Sequence, residues 1–93
     1  MILSFRDGAT EEFWRDGTGR RLPGDLKRVA MRKLMQVDGA GSLEDLKVPP
    51  GNRLELLKAD RAGQHSVRIN DRYRICFRWE NGNAYDVEIV DYH

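Results

Sequence analysis

"HSVRINDRYRICFRWENGNAYDVEIVDYH", residues 65–93, decides the fold. Its apolar residues recur at every second position. Val67 and Ile69 alternate with Ser66, Arg68 and Asn70. Tyr73, Ile75, Phe77 and Trp79 alternate with Arg74, Cys76 and Arg78. Tyr85, Val87 and Ile89 alternate with Asp86, Glu88 and Val90. A period of two marks strands with one face buried and the other solvated. Three such runs joined by short polar connections predict antiparallel pairing.

The last connection can be read for register. Asn81-Gly82 invites a two-residue turn. That register sets Phe77 opposite Asp86 and turns Asp86 and Glu88 toward the apolar side. A three-residue loop of Glu80, Asn81 and a left-handed Gly82 sets Phe77 opposite Tyr85 and Ile75 opposite Val87, so the apolar faces coincide. The buried face sets register, and the longer loop is therefore expected. On the opposite face it gathers Arg74, Arg78, Asp86, Glu88 and Tyr92.

Upstream the period changes. Leu26, Val29, Ala30, Leu34 and Val37 form one apolar stripe of a helix that starts at Pro23 and ends at Gly39. Lys27, Arg28, Arg32 and Lys33 fall largely outside it. "TEEFWRDG" (residues 10–17) predicts a shorter helix capped by Thr10 and stopped by Gly17. "MILSF" reads as a first strand, "SLEDL" as one turn capped by Ser42, "VPPGN" as a loop, and "LELL" (54–57) as a short strand. The expected fold class is α+β: two N-terminal helices on one face of a mainly antiparallel sheet of four to five strands. Residues 1–93 form a single domain. The other face is lined by Arg68, Arg74, Arg78 and Tyr92, with Lys58 near its rim.

The bulk properties narrow the function classes. The chain is 40% hydrophobic and 33% charged, which suits a soluble globular protein. Its longest apolar runs fall far short of the roughly 20 residues of a membrane span. No leader is expected at its start, and the cytoplasm is the expected location. Cys76 is the one cysteine, so no internal disulfide can form. With two distant histidines, His65 and His93, it makes no structural zinc pattern. There is no glycine-rich phosphate loop and no recognisable nucleophile–base spacing.

Charge is segregated beneath a net +1. Residues 53–78 carry seven Lys/Arg (Arg53, Lys58, Arg61, Arg68, Arg72, Arg74, Arg78) against three acids, whereas residues 79–93 carry four acids and no Lys or Arg. Cations clustered on a sheet suit a polyanion. Arginines sharing a face can cradle phosphate in two-point contacts. With an acid–base group they form the minimum set for metal-free RNA cleavage: a base for the 2′-OH, cations for the phosphorane, and an acid for the leaving 5′-oxygen. Each residue also has a plainer reading. Arg74 and Arg78 can pair with Glu88 and Asp86 across the strands, Tyr92 can pack at an edge, and Lys58 and His93 can simply be solvated.

The segments "LKADR", "SVRINDRYRICF" and "GNAYDVEIVDYH" resemble the HigB-type toxins of the RelE superfamily, and the rest of the chain follows in the same order more loosely. The resemblance implies a compact α+β ribonuclease of a bacterial toxin–antitoxin system. Such toxins act on the 70S ribosome, cut translated mRNA in the A site and leave a 2′,3′-cyclic phosphate, without metal or other cofactor. It implies a HigA-like helix-turn-helix antitoxin as partner, with operator DNA reached only through that antitoxin.

On matching positions Lys58 resembles the family's loop lysine and Arg74 its phosphate-binding arginine. Asp91, Tyr92 and His93 resemble its terminal catalytic cluster, and Arg68 an RNA-binding arginine. Arg61 and Arg78 of the basic block join the candidate RNA contacts. Glu55 departs from relatives with a histidine three residues before the loop lysine, and Ala59 stands where glycine is usual. The α-carboxylate on His93 favours its imidazolium, so His93 is expected to be the acid, with Asp91 orienting it. A tail beyond His93 would be expected to cross the RNA path. The rival readings are a non-catalytic RNA- or ribosome-binding inhibitor of translation, and an interaction protein using Phe13 and Trp14 of the first helix.

Overall fold

The computed structural model describes residues 1–19 and 22–92. Helix α1 (Gly8–Asp16) and helix α2 (Gly24–Gly39) come first, followed by 3-10 turns at Leu43–Lys47 and Pro50–Asn52. Strands β1 (Glu55–Leu56), β2 (Gln64–Arg68), β3 (Tyr73–Glu80) and β4 (Asn83–Asp91) then form an antiparallel sheet in chain order. A third 3-10 turn, Ala59–Arg61, lies between β1 and β2. The expected fold class is the one observed.

The helices cover one face of the sheet. Phe13 of α1 and Ala30, Leu34 and Val37 of α2 are buried with Val67, Ile75, Phe77, Ala84 and Val87. Each fully buried Val, Leu, Ile or Phe side chain among them contributes about 1.5–3 kcal/mol. Trp14 packs partly buried against the same core. The first helix therefore spends its aromatic residues inward, which removes the surface that the interaction-protein reading needed.

Asp7 rather than Thr10 caps α1, its carboxylate accepting the Thr10 amide at 3.2 Å. Thr10 lies one turn further in and is buried, with its hydroxyl accepting the Ile89 amide at 3.0 Å. Lys33 also corrects the helical-wheel reading. It is buried, and its ammonium donates to Asn52 Oδ1 at 2.8 Å. Asn52 is fully buried and donates in turn to the Leu46 carbonyl. Burial, then the nearby Arg32, Arg68 and Arg74, push the Lys33 pKa down.

The hairpin register differs from expectation. Glu80 pairs with Asn83, Trp79 with Ala84 and Arg78 with Tyr85. The turn is the two-residue Asn81-Gly82, with φ of 51° and 80°, as a type I′ hairpin requires. The conflict of faces is removed by a bulge. Asp86 takes a φ of 53°, and beyond it Cys76 pairs with Glu88 and Ile75 with Ile89. One extra residue in β4 flips the alternation, returning Val87 to the core. Asp tolerates this left-handed conformation better than most residues. The Asp86 amide donates to Ser4 Oγ at 2.9 Å, and its carboxylate accepts from Arg78 Nε at 2.7 Å. Tyr85, expected on the core side, faces Arg78 instead, with the guanidinium 5.5 Å from its ring centre.

Residues 1–5 were expected to form a strand. They make two isolated parallel bridges to β4, Ile2 with Ala84 and Phe5 with Val87. The bulge lies between those contacts and interrupts an even ladder. The segment still serves the β4 edge, since Ala84 and Val87 donate to the Met1 and Ser4 carbonyls at 2.8 and 3.1 Å.

Candidate functional site

The bulge aligns one straight row across the open face. Glu55 pairs with Ser66, Ser66 with Cys76, and Cys76 with Glu88. Strand spacing makes this row about 14 Å wide. Its middle is small, and Ser66 and Cys76 are both fully buried although α1 and α2 pack on the other face. Charged and aromatic side chains from neighbouring rows and loops cover them.

Arg74, one row along, reaches back over Ser66. Its Nε donates to Ser66 Oγ at 2.7 Å and its Nη2 to the Arg53 carbonyl at 2.8 Å. The same Nη2 meets Glu55 Oε1 at 3.1 Å. Arg61 arrives from the β1–β2 connection, and its Nη1 lies 2.6 Å from Glu88 Oε1. That hydrogen bond raises the Arg61 pKa despite partial burial. Glu88 also has Arg6 Nε at 3.8 Å.

Tyr92 lies over the middle of the row, where the Cys76 thiol donates to its hydroxyl oxygen across 3.9 Å. Burial, then Cys76, push the Tyr92 pKa up, against Arg61 and Arg74. Burial likewise pushes the Cys76 thiol up, opposed by the Tyr92 contact. Both groups hold their protons at neutral pH, so Cys76 is a poor nucleophile.

The structure brings Arg61, Arg74 and Tyr92 together around Cys76, and places Tyr92 on the face that alternation indicated. Arg68 sits directly opposite Arg74 and pairs with Asp71. Two cations facing each other across strands are unfavourable alone, and Glu55 and Asp71 offset them. Arg78 is held by Asp86 at 2.7 Å and Glu80 at 3.0 Å. The plainer reading of Arg78 as a cross-strand ion pair is thus realised, whereas Arg74 turns to Glu55 and leaves Glu88 to Arg61. Lys58 is exposed, immediately before the Ala59–Arg61 turn. Ala59 there adopts φ 58°, which explains why glycine suits that position.

Asp91 pairs with Tyr73 at the end of β3, on the helix-covered side, and accepts three hydrogen bonds from Arg72. It also lines a cavity of about 580 Å³ with Asp7, Thr10, Phe13, Tyr73 and Ile89. Successive residues of a strand point to opposite faces, so Asp91 and Tyr92 cannot both face Cys76. His93 lies outside the described residues. Among the described residues no three His, Cys, Asp or Glu side chains form a group that could hold a metal ion, and no helix is long and apolar enough to cross a membrane.

Sequence reasoning missed the parts played by Ser66, Glu88 and Arg72. Alternation already places Ser66 and Glu88 on the open face, but not the arginine that each one meets.

The fold thus sets two helices on one face of a small antiparallel sheet. Two solved structures share it: the YoeB–YefM complex from Staphylococcus aureus, TM-score 0.63 and 19% identical over 100% of this chain and 98% of that one, and YafQ from E. coli, TM-score 0.57 and 9% identical over 98% and 93%. Sequence narrows the class. Residues 3–93 match the family model described as the RelE-like toxin HigB of type II toxin–antitoxin systems. Toxin HigB-1 of Vibrio cholerae is 40% identical over 85 residues, 90% of each chain. Endoribonuclease HigB of Proteus vulgaris is 32% identical over 94 residues, 100% of each chain. The chain belongs to the HigB-like toxin family.

Proposed function

We propose that this chain is an endoribonuclease that cuts translated mRNA on the ribosome and so arrests translation. The observation that carries this reading is Arg74, held on the open face against the half-exposed Glu55 carboxylate at 3.1 Å. A phosphate is a better two-point partner for a guanidinium than one carboxylate oxygen. An RNA phosphate entering here displaces Glu55, and the released carboxylate is then within reach of the adjacent 2′-OH as its base.

Arg74 and Lys58 carry the phosphorane charge, and Arg61 and Arg68 hold the backbone on either side. Tyr92 keeps its proton and stacks on or hydrogen-bonds to the nucleotide. His93, by its resemblance to the family cluster, protonates the leaving 5′-oxygen, which leaves a 2′,3′-cyclic phosphate. Arg78, already held by two carboxylates, is a weaker RNA contact than the sequence suggested. The name of the Proteus vulgaris relative supports the activity, and the YoeB–YefM complex supports an antitoxin partner, here a helix-turn-helix protein of the HigA type.

The test is incubation of a defined mRNA with the protein, with and without programmed ribosomes, followed by mapping of the cut ends. Cuts only with ribosomes, ending in cyclic phosphate, are expected. Inhibited translation with intact mRNA would instead favour a non-catalytic ribosome-binding inhibitor.

A further inference from the structure

Arg72 holds two successive residues at once. Its guanidinium donates through Nε to both Asp91 carboxylate oxygens at 3.0 Å and through Nη2 to Oδ2 at 2.8 Å. Its carbonyl accepts the Tyr92 amide at 2.6 Å. The turn that carries it is itself pinned, because the Arg72 and Tyr73 amides both donate to Asn70 Oδ1, at 2.9 and 2.8 Å. The guanidinium also lies 5.5 Å from the Tyr73 ring centre. The β3–β4 ladder ends at the Tyr73–Asp91 pair. Beyond that pair, the attitude of Tyr92 depends on Arg72 rather than on the sheet.

An isolated surface ion pair has little effect. This one differs in two respects: it is two-pronged, and the same residue also fixes the next backbone amide. We propose that Arg72 is a positioning residue for the reaction. It clamps Asp91 on the helix side of the sheet, which sets the Tyr92 ring over Cys76 on the other side. Asp91 then acts through Arg72 as an anchor. The catalytic consequence rests on the ribonuclease reading above, whereas the clamp itself does not.

Cys76 reports the clamp independently of activity, since it is the one cysteine, fully buried, with Tyr92 against its sulfur. The experiment measures native labelling of Cys76 by Ellman's reagent, together with kcat and KM for mRNA cleavage on programmed ribosomes. Variants are Arg72→Met, Arg72→Lys, Tyr92→Ala and, as a control on the exposed side of α2, Arg28→Met. Arg72→Met is expected to label about tenfold faster through local opening, with Arg72→Lys in between and Arg28→Met like wild type. Its kcat is expected to fall about ten- to a hundredfold with KM little changed, as for a displaced catalytic group.

Labelling of Arg72→Met as slow as wild type overturns the clamp. Labelling that rises only in step with global unfolding, followed by thermal melting, also overturns it. Faster labelling with unchanged kcat in a chain that cuts RNA overturns the positioning role. If the wild-type chain cuts no RNA, labelling still decides the clamp, and the failure belongs to the ribonuclease reading.

Discussion

Replacing Arg74 with methionine tests the site, because the structure separates its effect on folding from its effect on chemistry. Methionine keeps most of the aliphatic stem over Ser66 and removes three polar contacts. The Glu55 partner is half exposed, so that ion pair contributes about 0–1 kcal/mol. Water can replace the guanidinium at the Arg53 carbonyl, where the bond is exposed. Ser66 Oγ is the costly loss, because Ser66 is fully buried and its hydroxyl loses its donor. Such an orphan costs about 1–3 kcal/mol. The expected destabilisation is therefore about 1–3 kcal/mol, a fall in Tm of roughly 5–20 °C for a domain of this size. A domain starting from only about 5 kcal/mol would keep about 2 kcal/mol and stay about 97% folded at 25 °C. Unfolding thus removes a few per cent of the activity. Loss of the cation that faces the phosphorane removes about a hundred- to a thousandfold. Initial rates on programmed ribosomes at 25 °C, set beside melting by circular dichroism, distinguish the two. A rate loss no larger than the unfolded fraction would refute the assignment of Arg74 to the scissile phosphate.

Three further outcomes follow from the geometry. Deleting Asp86 removes the extra residue, sets Phe77 opposite Val87 in an even ladder and keeps Val87 and Ile89 on the core side, so the chain should keep a cooperative thermal transition while losing the Asp86 contacts to Arg78 and Ser4; loss of the transition would show that the fold needs the bulge itself. Arg61→Met should leave the mostly buried Glu88 carboxylate to the more distant Arg6, 3.8 Å away, and lower stability by about 2–3 kcal/mol, less than the roughly 3–5 kcal/mol of a fully stranded buried ion, and adding Glu88→Gln should restore much of it; urea midpoints of the single and double variants check this. His65 has a buried Nδ1 with no hydrogen-bond partner among the described residues, stacks on Phe77 at 6.2 Å, and is pushed down in pKa by burial. Below about pH 6.5 the unfolded chain binds the extra proton first, so stability should fall as pH drops from there. His65→Phe should flatten that part of the profile, and urea midpoints at pH 7.5, 6.5 and 5.5 with equal slopes for both chains would refute it.

Much of the molecule was legible in its residues. Alternation located β2, β3 and β4, the 3.6-residue stripe located α2, and the same alternation placed Arg74 and Tyr92 on one face. The hairpin was not legible, because the Asn81-Gly82 signal and the apolar pattern contradict each other unless an extra residue is inserted. Nothing in "YDVEIV" states that Asp86 bulges; its left-handed φ is held by Ser4 and Arg78, remote in sequence or on the facing strand. Lys33 was misread for a related reason, since a wheel assigns lysine to solvent until Asn52 supplies a buried acceptor from another segment.

The sequence by itself determined the period of each element, the sign of the charge on the open face and the family to which the chain belongs. These are local or compositional properties, and each residue carries its share wherever the chain goes. Only the tertiary structure decided which charges meet. It set Arg74 against Glu55, Arg61 against Glu88, and Asp91 against Arg72 on the far side of the sheet from Tyr92. Ion-pair partners depend on register and on where loops return, and neither follows from residue type alone.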